Sequence, residues 1–132
     1  MDSVSRDKLK EKSFKRLFKS FKYAIEGIIY AFKYEQNIIV HTLVMILVIL
    51  LGIVVKLSIF EWLICLILFG LVIATEMINT AIEATVDLAC DKKDPLAKIA
   101  KDTASGAVLV FAITASIAGI IIFLPKIIEL LK

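Results

Sequence analysis

Three long apolar stretches restrict what this chain can fold into. They lie within residues 38–55, 59–80 and 105–124, and each approaches the roughly 20 residues that a helix needs to cross a bilayer. Composition agrees, since 60% of the 132 residues are hydrophobic and the mean hydropathy is +0.91. We therefore predict an all-α integral membrane protein with transmembrane helices over these three ranges. Trp62 is expected as an interfacial anchor of the second span, and Pro125 as the stop of the third.

The segment before the first span predicts an N-terminal amphipathic surface helix over residues 13–34. Apolar residues recur there at helical spacing, from Phe14 to Phe32, and lysines fill much of the remaining surface. Such a helix can lie at the membrane interface with its basic groups toward anionic headgroups, or pack on the protein's own spans, and the two are compatible. Residues 1–12 are expected to be mobile, and residues 1–132 to form a single membrane domain.

Basic residues predict the orientation of the chain in the membrane. Nine of the 16 lysines and arginines precede Ile38, only Lys56 stands between the first two spans, and four lysines follow between residues 88 and 102. The positive-inside rule then puts the N-terminus in the cytoplasm and the C-terminus outside. The first 20 residues are basic and polar, so no cleavable signal peptide is expected. We expect no disulfide between Cys65 and Cys90, and no nucleic-acid partner.

An acidic stripe follows the second apolar stretch. Glu76, Asn79, Glu83 and Asp87 are spaced by three, four and four residues, which places them on one side of a helix. Further polar residues are expected at the same cytoplasmic depth, namely Glu35, Asn37, His41, Lys101, Asp102 and Ser105. Carboxylates at the edge of the hydrocarbon are costly and usually have a partner or a function. The structural alternative is that Glu76 and Glu83 pair with Lys101 or another lysine and lock the helices together.

The chemistry of this set favours phosphoryl transfer. Two carboxylates form an oxygen-rich site suited to Mg²⁺, which takes substrate phosphates as further ligands. Lys101 supplies a charge for phosphate oxygens, and a third carboxylate could accept the proton of an alcohol. The five glycines form no known nucleotide-binding loop. A small transporter or a purely structural subunit remains as an alternative, although a transporter needs its acid near the midplane with access from both sides.

The motifs resemble the prokaryotic diacylglycerol kinase family. The resemblance rests on Glu76-x-x-Asn79-Thr80-Ala81-Ile82-Glu83, then Asp87, then Lys101-Asp102 before Ser105-Gly106-Ala107-Val108, with Arg16, Tyr23 and Glu35 upstream. It implies a small three-span enzyme of the bacterial plasma membrane that uses ATP and Mg²⁺. It also implies a homotrimer whose active sites are shared between neighbouring subunits.

The resemblance further implies a role for each residue of the site. Glu76 would be the general base, with Asn79 and Ser105 also binding the acceptor. Glu35 and Glu83 would hold Mg²⁺. The ATP-binding set would comprise Arg16, Tyr23, Glu35, Glu83, Asp94, Lys101 and Asp102. Structural alternatives stay open for several of these and neighbouring positions: Tyr23 as an interfacial anchor, Arg16 as a lipid-phosphate contact, Asp87 as a helix-end acid and His41 as a helix-packing hydrogen bonder.

The acceptor lipid is expected from the branch of the family. One branch acts on diacylglycerol and the other, in Gram-positive bacteria, on undecaprenol. Asn37 and His41 after Glu35, together with the segment from Pro95 to Asp102, resemble the second branch, although Asp94 stands where many of its members have histidine. We predict an undecaprenol kinase, with a diacylglycerol kinase that makes phosphatidic acid as the alternative.

Overall fold

A computed structural model describes residues 3–90 and 94–132, with side chains from residue 14 onward. The described residues form four helices: α1 (Ser3–Tyr34), α2 (Gln36–Val54), α3 (Ile59–Ala89) and α4 (Pro95–Leu130). Helices α2, α3 and α4 are long and apolar enough to cross a membrane. The predicted all-α class with three spanning helices and an N-terminal helix is therefore confirmed.

Helix α1 forms one compact unit, and the residues from Glu35 onward form a second. Apolar side chains such as Phe14, Phe18 and Phe21 are exposed on α1, and the rings of Tyr30 and Tyr34 lie 4.7 Å apart. Residues 1 and 2 and the side chains of residues 3–13 lie outside the described part, so the expected mobility of residues 1–12 stays a prediction. The division into one membrane domain also stays a prediction.

The turn between α2 and α3 is closed by caps on both sides. Leu57 N–H donates to the Gly52 carbonyl at 3.0 Å and Lys56 N–H donates to Ile53 at 3.3 Å. This is the Schellman pattern, and Lys56 adopts the left-handed conformation it requires, with φ 53°. Helix α3 then begins with a capping box between Ser58 and Glu61.

A small apolar cluster holds the helices together near this turn. Its buried members are Leu57, Cys65 and Phe123, and Trp62 packs against them. An added Cβ on Gly52 would meet Trp62 Cη2 at 2.7 Å, so the indole lies directly on the α2 backbone. Close packing of this kind, rather than the hydrophobic effect, holds helices together in lipid.

Helix α4 packs against α3 more extensively than α2 does. Asp94 caps its start, because the Asp94 carboxylate accepts hydrogen bonds from Leu96 N–H at 2.7 Å and Ala97 N–H at 3.3 Å. Pro95 follows in the first turn, where proline has no N–H to leave unpaired. At the other end of the helix, Lys126 pairs with Glu61 at 3.2 Å.

The expected helix stop at Pro125 is wrong. Helix α4 continues through Pro125 to Leu130. Proline removes the hydrogen bond to the carbonyl four residues earlier, but the flanking turns keep their own bonds, and transmembrane helices tolerate proline for this reason. The helices also extend past the predicted span limits, with α3 reaching Ala89 and α4 starting at Pro95. The membrane-embedded portions of these helices stay predictions.

Candidate active site

Glu76 is the centre of the candidate site. It lies on α3 with only 3% of its surface exposed. Its Oε1 atom lies 3.2 Å from Nε2 of His41 on α2, whose side chain is 26% exposed. A carboxylate removed from water in this way is costly unless a donor compensates it, and His41 supplies one in the tautomer that carries its proton on Nε2.

Asn79, one turn further along α3, joins α3 to α4. It is buried at 6% exposure, and its Nδ2 donates to Glu83 Oε1 at 3.0 Å. Its Oδ1 accepts from the Ser105 hydroxyl of α4 at 3.4 Å. Asn79 therefore orients the half-buried carboxylate of Glu83 on one side and contacts α4 on the other.

Ion pairs surround the more exposed end of the site. Lys101 of α4 donates to Asp87 of α3, and Lys98 donates to Asp102 at 2.8 Å within α4. Asp87 and Asp102 are largely exposed, so these pairs are open to exchange with other charged groups. The alternative that Lys101 pairs with Glu76 or Glu83 is wrong, because its partner is Asp87, whose predicted part as a helix-end acid fits this contact.

The remaining predicted residues lie at the starts of α2 and α4 and on α1. Glu35 is half-buried at the start of α2 and makes no side-chain cap hydrogen bond there. The Asp94 carboxylate is engaged in capping α4. Arg16 and Tyr23 are exposed on α1. Within the described residues of one chain, no three acidic, histidine or cysteine side chains come together as a cation site.

An apolar groove includes His41, the hydrogen-bond partner of Glu76, in its wall. It has a volume of about 620 Å³ and is lined by side chains of α2, α3 and α4. His41, Val40 and Val72 line it near the site, whereas Phe123 and Ile127 line it toward the other end of α4. Among its lining residues Ser116 is polar, but its hydroxyl already donates to the Ala112 carbonyl at 2.8 Å. The groove thus offers hydrocarbon contact along its length and an imidazole close to the buried carboxylate.

The bond between His41 and Glu76 is the feature that sequence reasoning missed. Their common depth was predicted, but a contact between residues 35 positions apart depends on how α2 and α3 are rotated about their axes. The Asn79–Glu83 bond could have been found, because residues four apart on a helix are neighbours. The same spacing underlies the Lys98–Asp102 pair.

Comparison with known proteins identifies the family. Residues 22–123 match the family described as prokaryotic diacylglycerol kinase. An undecaprenol kinase of Bacillus subtilis (strain 168) is 50% identical over 111 residues, which cover 84% of this chain and 90% of that protein. A diacylglycerol kinase of a Synechocystis species is 39% identical over 116 residues, covering 87% of this chain and 66% of that protein. A diacylglycerol kinase of Helicobacter pylori (strain J99) is 35% identical over 101 residues, covering 76% and 79%. The chain therefore belongs to the prokaryotic diacylglycerol kinase family, and it is a membrane-bound lipid kinase that uses ATP for phosphoryl transfer.

Proposed function

We propose that this kinase transfers the γ-phosphoryl group of ATP to the hydroxyl group of undecaprenol, at the cytoplasmic face of the membrane. The observation that carries the proposal is the buried Glu76 carboxylate, whose hydrogen-bond partner His41 lines an apolar groove. A lipid whose chain lies in this groove would bring its hydroxyl to His41 and Glu76, where the groove meets the polar cluster.

Glu76 is the general base in this proposal. Its carboxylate takes the proton of the acceptor hydroxyl as the hydroxyl oxygen attacks the γ-phosphorus, and the bond between that phosphorus and the β-phosphate oxygen breaks to release ADP. Asn79 and Ser105, which are joined by a hydrogen bond of 3.4 Å, would bind the acceptor head.

Two carboxylates suit the divalent cation that kinases use. Glu83 is half-buried with one oxygen held by Asn79, and Glu35 is half-buried with no cap bond to its own helix. Oxygen donors of this type are those that Mg²⁺ takes in proteins, so Glu35 and Glu83 would hold it. When bound, Mg²⁺ neutralises charge on the ATP phosphates.

The nucleotide would be bound at the charged edge of the site. Lys101 pairs with the largely exposed Asp87, and Asp102 pairs with the largely exposed Lys98. The triphosphate could replace Asp87 at Lys101, and nucleoside groups could replace Lys98 at Asp102. Asp94 at the start of α4, and Arg16 and Tyr23 on α1, complete the proposed ATP-binding set. Their place in it rests on the family resemblance.

Undecaprenol is favoured as the acceptor by the relative that is 50% identical and by the lining of the groove. That relative carries the name undecaprenol kinase. A polyprenol tail is pure hydrocarbon, whereas diacylglycerol brings two ester groups that seek hydrogen-bond donors. The groove is lined by His41 and Ser116 among mostly apolar side chains, and the Ser116 hydroxyl is already hydrogen bonded within its own helix. It therefore does not offer its proton to an ester group. Diacylglycerol is the second candidate, because two other relatives carry that name.

Assembly and orientation complete the proposal. We propose a homotrimer with shared active sites, as the family resemblance implies. We also propose a cytoplasmic N-terminus and an outer C-terminus, in the plasma membrane of a bacterium. The basic residues of the N-terminal segment and of the connection before α4 support this orientation.

Lipid phosphorylation by the purified protein tests the proposed substrate. The protein in detergent is given labelled ATP with Mg²⁺ and either a polyprenol or a diacylglycerol, and initial rates are compared. We expect faster transfer to the polyprenol. A faster rate with diacylglycerol would overturn the acceptor assignment, and transfer to neither lipid would overturn the proposed function.

Two charge-removing variants test the division of roles. Glu76→Gln should abolish turnover while ATP binding stays nearly intact, because it removes the base and keeps the shape of the side chain. Glu83→Gln should instead weaken Mg²⁺-dependent ATP binding, measured by calorimetry with a non-hydrolysable ATP analogue. Equal loss of binding in the two variants would contradict the assignment.

A further inference from the structure

We propose that His41 is a positioning residue for phosphoryl transfer, holding the Glu76 carboxylate toward the end of the apolar groove. The proposal rests on the function proposed for Glu76. It assigns to His41 a part in the reaction beyond the packing of helices.

The contact joins two helices at the most buried acid of the site. Nε2 of His41 on α2 lies 3.2 Å from Glu76 Oε1 on α3. The Glu76 side chain is 4% exposed, so water has little access to compensate the carboxylate. Removing this donor would leave a buried charge without a donor, and that costs more than the loss of an exposed hydrogen bond.

The chemistry of the two groups fixes the direction of the hydrogen bond. An ionised carboxylate only accepts hydrogen bonds, so the proton of this bond lies on Nε2 of the imidazole. This bond occupies Oε1 and restricts rotation of the carboxylate. The second oxygen, Oε2, is left to accept the proton of the acceptor hydroxyl.

His41 also forms part of the groove wall. It lines the groove together with apolar neighbours such as Val40 and Val44 on the same helix. The imidazole therefore lies between the space proposed for the lipid and the base. A shift of the carboxylate by an ångström at such a point is enough to lower a rate strongly, because general-base catalysis requires hydrogen-bond reach.

Three substitutions at position 41 separate positioning from packing. The amide nitrogen of glutamine can reach the place of Nε2, whereas the amide of asparagine, being shorter, reaches only the place of Nδ1. Leucine has no donor. We expect His41→Leu and His41→Asn to lower kcat for lipid phosphorylation roughly 10- to 100-fold with little change in KM for ATP, and His41→Gln to stay within about fivefold of the wild type.

A neighbouring variant controls for damage to α2. The Thr42 hydroxyl donates to the Ile38 carbonyl of its own helix at 2.7 Å and does not line the groove. Thr42→Val should therefore retain the wild-type rate. Thermal unfolding in detergent is measured for every variant, so that a lower rate can be compared with any loss of stability.

Equal rates in the glutamine and asparagine variants would overturn the proposal, even if the leucine variant fails to fold, because these two amides differ mainly in reach. The role of Glu76 can fail separately. If Glu76→Gln keeps full activity, the assigned base is wrong, whereas an inactive Glu76→Gln with unaffected His41 variants refutes the part of His41 alone.

Discussion

Replacing Gly52 by alanine is expected to destabilise the protein at the end of α2, far from the candidate active site. The new Cβ would lie 2.7 Å from Trp62 Cη2 and 2.9 Å from Leu57 Cδ1, both closer than carbon atoms approach without a shift. Overpacking of this kind costs about 1–3 kcal/mol. Alanine also favours a helix by up to about 1 kcal/mol over glycine, which offsets part of the cost.

Gly70→Ala is the matched control, because it makes the same change within α3, where nothing lies within 4 Å of the added Cβ. The helix-propensity gain is common to both variants, so their difference isolates the contacts with Trp62 and Leu57. We expect Gly52→Ala to be less stable than Gly70→Ala by about 1–3 kcal/mol. Unfolding of the purified protein in mixed micelles, titrated with a denaturing detergent, measures this difference.

Activity gives a second measurement on the same variants. Gly52 is eleven residues beyond His41 on α2, or about 16 Å along the helix, so the folded Gly52→Ala protein should phosphorylate lipid at a rate close to that of the wild type. Equal unfolding free energies for Gly52→Ala and Gly70→Ala, within about 0.5 kcal/mol, would show that the packing argument is wrong.

Variants at three further positions test other contacts. Lys56→Gly should keep or raise the unfolding free energy, by up to about 1 kcal/mol, because glycine adopts the left-handed conformation of the α2 cap more easily than lysine does; a clear loss would refute this. Asp94→Ala should lower stability by about 1 kcal/mol, whereas Asp94→Asn should keep it, since asparagine also caps helices. Because Asp94→Asn keeps the cap, a higher KM for ATP in this variant would point to the proposed nucleotide role. Asp87→Asn should change the unfolding free energy by less than about 1 kcal/mol, since its pair with Lys101 is exposed, and a larger loss would show that this pair holds α3 and α4 together.

The helical class and the number of spanning helices could be predicted because bilayer length and apolar composition determine them. The limits of the helices could not be predicted from apolar length, because α3 and α4 continue beyond the apolar stretches into polar sequence. Pro125 misled the prediction because a rule for helices in water was applied to a helix whose neighbouring turns remain paired.

For the candidate site, spacing along α3 predicted that Glu76, Asn79 and Glu83 share a face, and the Asn79–Glu83 bond agrees with it. Contacts between helices could not be predicted from this spacing. The partner of Lys101 is Asp87 rather than Glu76 or Glu83, and the partner of Glu76 is His41. Both depend on helix rotation and separation, which periodicity in one helix does not determine. The roles assigned to these residues stay predictions.

Helix α3 runs without interruption for 31 residues, a length of about 46 Å, from its capped start at Ser58 to Ala89. Glu76 is therefore held at a fixed distance of about 22 Å from the Glu61–Lys126 pair at the other end of the bundle. Because this spacing is fixed within the helix, a bilayer of different thickness must be met by tilting α3 or by deforming the lipid, and either changes the depth of the carboxylate relative to the headgroups. If Glu76 is the base proposed above, a bilayer that is too thick would draw it away from the water that carries ATP, and one that is too thin would move it away from the lipid alcohol. We therefore expect the rate of lipid phosphorylation to depend on the acyl-chain length of the surrounding lipid.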